Sequence, residues 1–189
     1  MNKLKDIEQE VKECNKCSLF KNRCKSVFGK GNKNAKIVVI GEAPGIEENC
    51  TGIPFIGTSG KRLEKLLKKA HFNIEDMYFC NIVKCRPIKD YKDRKPNKLE
   101  VDACKEYLFA QINAINPKAI ILCGATASKT FGIKESLKKY FANKRNMDNK
   151  TYDGIPLFPI YHPRSSIKKK IKEERLKKIY NDLKGVIYA

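Results

Sequence analysis

Cys14 and Cys17 form a Cys-x-x-Cys pair, and Cys85 and Cys104 stand far downstream, one after an apolar run and one within a helical pattern. Thiolates are soft ligands, so four of them drawn from two distant segments can hold a zinc ion or an iron–sulfur cluster. Spacing does not separate these two metals. A third reading also stands, in which Cys14 and Cys17 pair with each other and the rest are core residues. Of the eight cysteines in the chain, Cys80 and Cys123 sit within apolar runs and read as core, whereas Cys24 and Cys50 lack a partner at metal-site spacing.

A second concentration of chemistry is the stretch "GEAPGIEENCTGIPFIGTSG", residues 41–60, with five glycines and two prolines behind the apolar run "AKIVVI". So permissive a backbone suits the close approach of a ligand. The loop is not a nucleotide loop. "GTSGK" ends like a phosphate loop, but the glycine that motif requires is replaced by Phe55, and Gly-x-Gly-x-x-Gly is absent. Phe55, set in "GIPFIG", is either a platform for a flat heterocycle or a core residue.

Buried strands must present these segments. "AKIVVIG" has the length of a buried strand and runs into the glycine loop. Ser59 is a candidate cap for a helix in which Leu63, Leu66, Leu67 and Ala70 share a face. "MYFCNIVKC" reads as a second strand ending at Cys85, and "KAIILCG" as a third with a turn at Gly124. Asn97 and Glu100 form a capping pair that opens a helix with Val101, Cys104, Leu108, Ile112 and Ile115 on one side. Leu4, Ile7 and Val11 mark a short amphipathic helix before "CNKC", "TYDGIPLFPIYHP" a strand pair, and a basic helix starts near Ser166. Strands alternating with helices predict a parallel sheet covered on both faces. The loop 41–60, "NIVKCRP" and "YHPRSS" all fall at the carboxyl ends of strands, where ligands gather in such sheets.

The 189 residues fit one domain over 1–189, and 40 Lys+Arg against 21 Asp+Glu leave a net charge of +19. That excess points to a polyanion such as nucleic acid, or to a solvated basic surface. No apolar run reaches the length of a membrane span. The start "MNKLKDIEQEVKEC" lacks the apolar core of a signal peptide, so a cytoplasmic location without a disulfide framework is expected.

Taken in order, "CNKCSLFKNRC", "GEAPGIEEN", "GIPFIGTSGKRL", "CNIVKCRP", "CKEYLFAQINAINPKAIILCGATA" and "YHPRSS" resemble the family 4 uracil-DNA glycosylases, from about Cys14 to Ser166. The resemblance implies a three-layer α/β/α sandwich with a mainly parallel central sheet. It also implies a 4Fe–4S cluster with Cys14, Cys17, Cys85 and Cys104 as ligands. The partner it implies is uracil-containing DNA, single- or double-stranded, acted on by a monomer with no membrane association. Activity would be hydrolysis of the N-glycosidic bond of a flipped-out deoxyuridine, leaving an abasic site. Phe55 matches the residue that stacks on uracil, and Asn81 the one that reads its edge. Glu48 matches an acidic position near uracil C5. His162 matches the donor to O2, where negative charge develops, and Glu42, with the backbone at Ala43, faces the water and sugar. Arg164, Ile167 and Lys168 fall in the segment expected to meet DNA. The rival on the same scaffold is a non-catalytic iron–sulfur or zinc nucleic-acid-binding module.

Three departures from the family pattern stand out. Asn49 occupies a position where Asp is frequent. "IKDYKDRKP" is longer than the usual loop and carries Asp93 where Asn would fall. "RSSIKK" follows His162–Pro163 in place of paired leucines, which makes Ile167 the expected wedge into the base stack. The same segment lacks the histidine by which a related group becomes attached to the sugar, so turnover is expected.

Overall fold

The computed structural model describes residues 3–142 and 150–187. Helices α1 (Lys3–Glu13), α2 (Ile46–Thr51), α3 (Thr58–Lys69), α4 (Lys98–Ile115), α5 (Ala125–Thr130), α6 (Leu137–Ala142) and α7 (Lys169–Ile187) accompany eight strands. These are β1 (Lys30–Gly31), β2 (Ile37–Gly41), β3 (Met77–Asn81), β4 (Ile88–Lys89), β5 (Lys92–Asp93), β6 (Ala119–Cys123), β7 (Thr151–Tyr152) and β8 (Ile155–Ile160). Six of them form one sheet in the order β1-β3-β2-β6-β8-β7. The four inner strands are parallel and the two short edge strands antiparallel. β4 and β5 make a separate hairpin.

Successive residues of a strand face opposite sides of a sheet, and here both sides are apolar. Val38 and Ile40 of β2 join Leu4, Ile7 and Val11 of α1 and Leu108 and Ile112 of α4 in one cluster. Ile37 and Val39 join Leu63 and Leu67 of α3 and Leu176 and Ile179 of α7 in another. The expected α/β three-layer architecture follows directly: helices must cover both faces because both faces are hydrophobic.

The capping pair is realised in both directions. Glu100 N–H donates to Asn97 Oδ1 at 2.9 Å, and Asn97 N–H donates to Glu100 Oε2 at 2.8 Å. Three boundaries differ from expectation. α3 is capped by Gly57, not Ser59, because Thr58 already has helical geometry. β3 stops at Asn81, although residues 82–85 stay buried; an apolar run does not distinguish a strand from a buried segment that leaves it. α7 starts at Lys169, because Lys172 holds the preceding residues in a turn, described below. The hairpin β4–β5, α2, α5 and α6 have no counterpart in the sequence reading.

Candidate active site

The inner strands end in one place. Gly41 and Asn81 are register partners at the ends of β2 and β3, and Cys123 and Ile160 at the ends of β6 and β8. Beyond these ends lies a cavity of about 350 Å³ lined by Glu42, Ala43, Glu48, Phe55, Asn81 and His162, among others. Glu42, Ala43, Glu48, Phe55, Asn81 and His162, all singled out in the sequence, therefore meet, though they come from three separate segments.

Phe55 is held at a positive φ of 57°, a conformation that an aromatic residue adopts only when its surroundings impose it. Gly60 makes this possible, since a Cβ there would come within 2.5 Å of Phe55 Cα. The ring packs edge-on against Phe79 with centroids 5.6 Å apart and remains half-buried, lining the cavity. Asn81 is buried next to Gly41, where any side chain would collide with Asn81 Oδ1 and the Phe55 ring. Phe55 and Asn81 are thus set together by one glycine.

Glu48 spans the glycine loop. Its Oε2 accepts from Gly45 N–H at 3.0 Å and its Oε1 from Gly57 N–H at 2.9 Å. The carboxylate that was expected to crowd uracil C5 is engaged with backbone, so Glu48 braces the cavity wall as well as lining it. Glu42 accepts a hydrogen bond from Thr126 Oγ1. Thr126 was missed by sequence reasoning, since nothing in "GATA" marks a hydroxyl aimed at another segment.

Burial pushes the His162 imidazole below the ordinary histidine value, outweighing the upward pull of Glu42, and Arg164 and Lys172 push it the same way as burial. Arg164 N–H donates to His162 Nδ1 at 3.2 Å. With Nδ1 an acceptor, the neutral ring carries its proton on Nε2. Cys123 also lines the cavity; burial raises its thiol to about 12, so it is an inert wall.

The hairpin β4–β5 adds Asp93 and Arg94 to the rim of the cavity. Asp93 pairs with Arg86 at 2.5 Å. Arg94 bridges both carboxylate oxygens of Glu100 at 2.8 and 2.6 Å, which ties the hairpin base to the cap of α4. Asn49 is buried with its Oδ1 accepting from Cys24 N–H at 3.2 Å; it is not part of the cavity lining. Arg164 and Ile167 line an adjoining groove with Arg62, Lys65 and Leu66 of α3. Ile167 is half-buried there. Lys168 is exposed beside it and lines neither space. The turn is fixed from within by Lys172, whose ammonium donates to Pro163 O and Ser165 O, each at 2.9 Å.

Cys14, Cys17, Cys85 and Cys104 line a second, small pocket between α1, α4 and the segment after β3. Arg23 Nη1 donates to Cys85 Sγ at 3.5 Å and Lys84 N–H to Cys104 Sγ at 3.3 Å. Burial pushes both thiols up, Cys104 to about 11 and Cys85 against the pull of Arg23, so ligation there displaces protons. Among the described residues no three His, Cys, Asp or Glu side chains are grouped for a single metal ion. All four thiols face that one pocket, drawn from three separate segments of the chain. Among the described residues no helix is long and apolar enough to cross a membrane.

The family model of the uracil DNA glycosylase superfamily matches residues 28–184. The type-4 uracil-DNA glycosylase of Thermotoga maritima is 39% identical over 89% of this chain and 85% of its own. Those of Archaeoglobus fulgidus and Saccharolobus solfataricus are each 36% identical, over 86% and 95% of this chain and 82% and 86% of theirs. The match spans the four inner strands and every residue of the cavity lining, and with it the chain belongs to the type-4 family of the uracil DNA glycosylase superfamily.

Proposed function

We propose that this protein hydrolyses the N-glycosidic bond of deoxyuridine flipped out of DNA, releasing uracil and leaving an abasic site. The observation that carries this is the convergence of Phe55, Asn81, Glu42 and His162 on one cavity at the strand ends. Uracil lies against the Phe55 ring. The Asn81 amide accepts from N3–H and donates to O4, a pattern that cytosine inverts. As the bond from C1′ to N1 breaks, its electron pair moves onto uracil, and the Nε2–H of neutral His162 donates to O2 where that charge collects. Glu42, oriented by Thr126, faces the cationic sugar and the attacking water. The hydroxyl of that water bonds to C1′ while its proton passes through Glu42 to solvent.

The four-cysteine pocket is the site of a 4Fe–4S cluster held by Cys14, Cys17, Cys85 and Cys104. When bound, the cluster serves as a structural cross-link between α1, α4 and residues 82–85. The donors from Arg23 and the Lys84 amide suit negatively charged sulfur. The protein works as a single-domain monomer in the cytoplasm, its net charge of +19 supplying grip on the DNA backbone.

The deciding experiment is incubation with uracil-containing and matched thymine-containing oligonucleotides, followed by alkaline cleavage. Strand scission at uracil alone is expected. A protein with its cluster absorption intact that binds DNA and leaves uracil in place would be a binding module instead.

A further inference from the structure

The hairpin tip beside the cavity carries two features that cost stability in the free protein. Asp90 and Tyr91 form its two-residue turn, at φ of 50° and 60°. A turn with both central residues at positive φ favours Asn-Gly, and a tyrosine there is disfavoured. Lys89 and Lys92 are direct cross-strand partners, a like-charge pairing that weakens a hairpin unless an anion lies between the two ammonium groups. Among the described residues neither lysine makes an ion pair. Tyr91 itself is 96% exposed.

The base of the same hairpin is firm. Arg94 N–H donates to Pro87 O at 3.1 Å, and Arg94 Nε to Ile88 O at 3.2 Å. The ion pairs of Arg86–Asp93 and Arg94–Glu100 fix it further. Asp93 and Arg94 line the cavity rim, so the tip stands two residues beyond, about 7 Å along the strand. A hairpin fixed at its base thus presents an unburied aromatic ring, flanked by two unneutralised cations, within about 7 Å of the cavity rim. Ile167, by contrast, is half-buried in its groove.

We propose that Tyr91 is the DNA wedge of this protein. On this reading, which rests on the function proposed above, its ring enters the base stack at the position the flipped deoxyuridine vacates. Lys89 and Lys92 take the phosphate that lies between them. Both unfavourable features are then relieved on binding: the ring gains a stacking partner and the lysine pair its anion. A wedge has work to do only in a duplex, because a single strand has no paired stack to hold open.

The test compares uracil release from a duplex and from the same strand alone. Tyr91→Asn removes the ring while keeping a residue suited to the turn. It should match or exceed the parent in thermal stability. On duplex it should lose about tenfold in kcat/KM, the low end of what base–aromatic stacking contributes, and on single strand it should be unchanged. Tyr91→Trp should restore duplex activity. An equal loss on both substrates, or no loss on duplex, overturns the wedge. A parent protein that releases uracil from neither substrate overturns the proposed function. In that event the wedge is still decided by 2-aminopurine fluorescence beside an uncleavable 2′-fluorodeoxyuridine in duplex. The parent should raise it and Tyr91→Asn should not; equal signals from the two proteins reject Tyr91.

Discussion

The cavity at the strand ends and the cysteine pocket share the segment Asn81–Cys85, yet they are made of different material. The cavity is lined by glycines, carboxylates, an amide and an imidazole, and its shape is fixed by backbone: a positive φ at Phe55 and glycines where a Cβ has no room. The cysteine pocket is walled by side chains such as Val11, Leu19, Val83 and Tyr107. Its polar contacts include two that meet sulfur, from Arg23 and from the Lys84 amide. The first pocket is preorganised by the chain alone. The second takes its four cysteines from the turn after α1, from α4 and from residue 85, and on the function proposed above it needs an added group to bind them together. Damage to the second should therefore appear as lost protein, and damage to the first as lost chemistry in a protein that still folds.

The largest effect tests the cysteine side. The parent protein, purified without oxygen, should be brown and contain about four irons per chain. Cys85→Ala and Cys104→Ala each remove a buried ligand, and soluble protein should fall before any rate can be compared. Full activity in a colourless variant, measured alongside its iron content, would show that the cysteine pocket is not structural.

On the cavity side, His162→Ala should retain the cluster absorption and the melting temperature of the parent while losing about 10²–10³ in kcat, the loss typical of a missing donor to a developing oxyanion. The same residue should set the acid limb of the pH profile. The proposed mechanism requires the neutral ring, and burial holds the His162 pKa below the ordinary 6.5. Activity in the parent should hold through neutrality and fall only as pH drops below that value. An acid limb centred above 6.5 would contradict this environment for the ring.

A smaller and more selective change is expected from Asn81→Asp. It removes the donor to O4 and offers an acceptor to the amino group of cytosine, so uracil release should slow strongly and mispaired cytosine should be excised slowly but measurably. Asn81→Ala should lose uracil release without that gain. Matched oligonucleotides with cytosine or uracil opposite guanine read both, and an unchanged uracil rate in either variant would move the edge-reader elsewhere.

The two pockets were legible to different depths. Cavity residues lie in short contiguous motifs at strand ends, so their segments could be named and their meeting place inferred from topology alone. The contacts that tune them could not: Thr126 reaches Glu42 from a different strand end, and the Arg164 amide selects the His162 tautomer by a turn that Lys172 and the Ser165 amide fix. Spacing left the cysteines divided among three readings, because ligand geometry belongs to the folded chain. The hairpin β4–β5 was unreadable for a chemical reason, since Asp90-Tyr91 stands where turn chemistry favours Asn-Gly. Lys84 was equally hidden. A lysine is expected at the surface, and this one is 1% exposed.

Lys84 is where the two pockets can be separated most finely. Its amide meets Cys104 Sγ, while its ammonium donates to Asn81 O at 2.7 Å and to Gln111 Oε1. Gln111 passes the chain on to Phe28 O at 3.0 Å and Tyr78 Oη at 3.3 Å. Lys84→Met keeps the length of the side chain and the amide contact but strands two buried acceptors, at a cost of about 1–3 kcal/mol each, offset in part by no longer burying a charge. The melting temperature should fall with the cluster absorption unchanged. Uracil release should change only a few-fold, because the Asn81 side chain is set by Gly41 and the register of β2 with β3, whereas Lys84 holds only the Asn81 carbonyl. Calorimetry and a rate assay on one preparation give both numbers. A large loss of rate at unchanged stability would mean that the segment between the pockets governs the edge-reader, and that the division between a folding site and a reaction site is wrong.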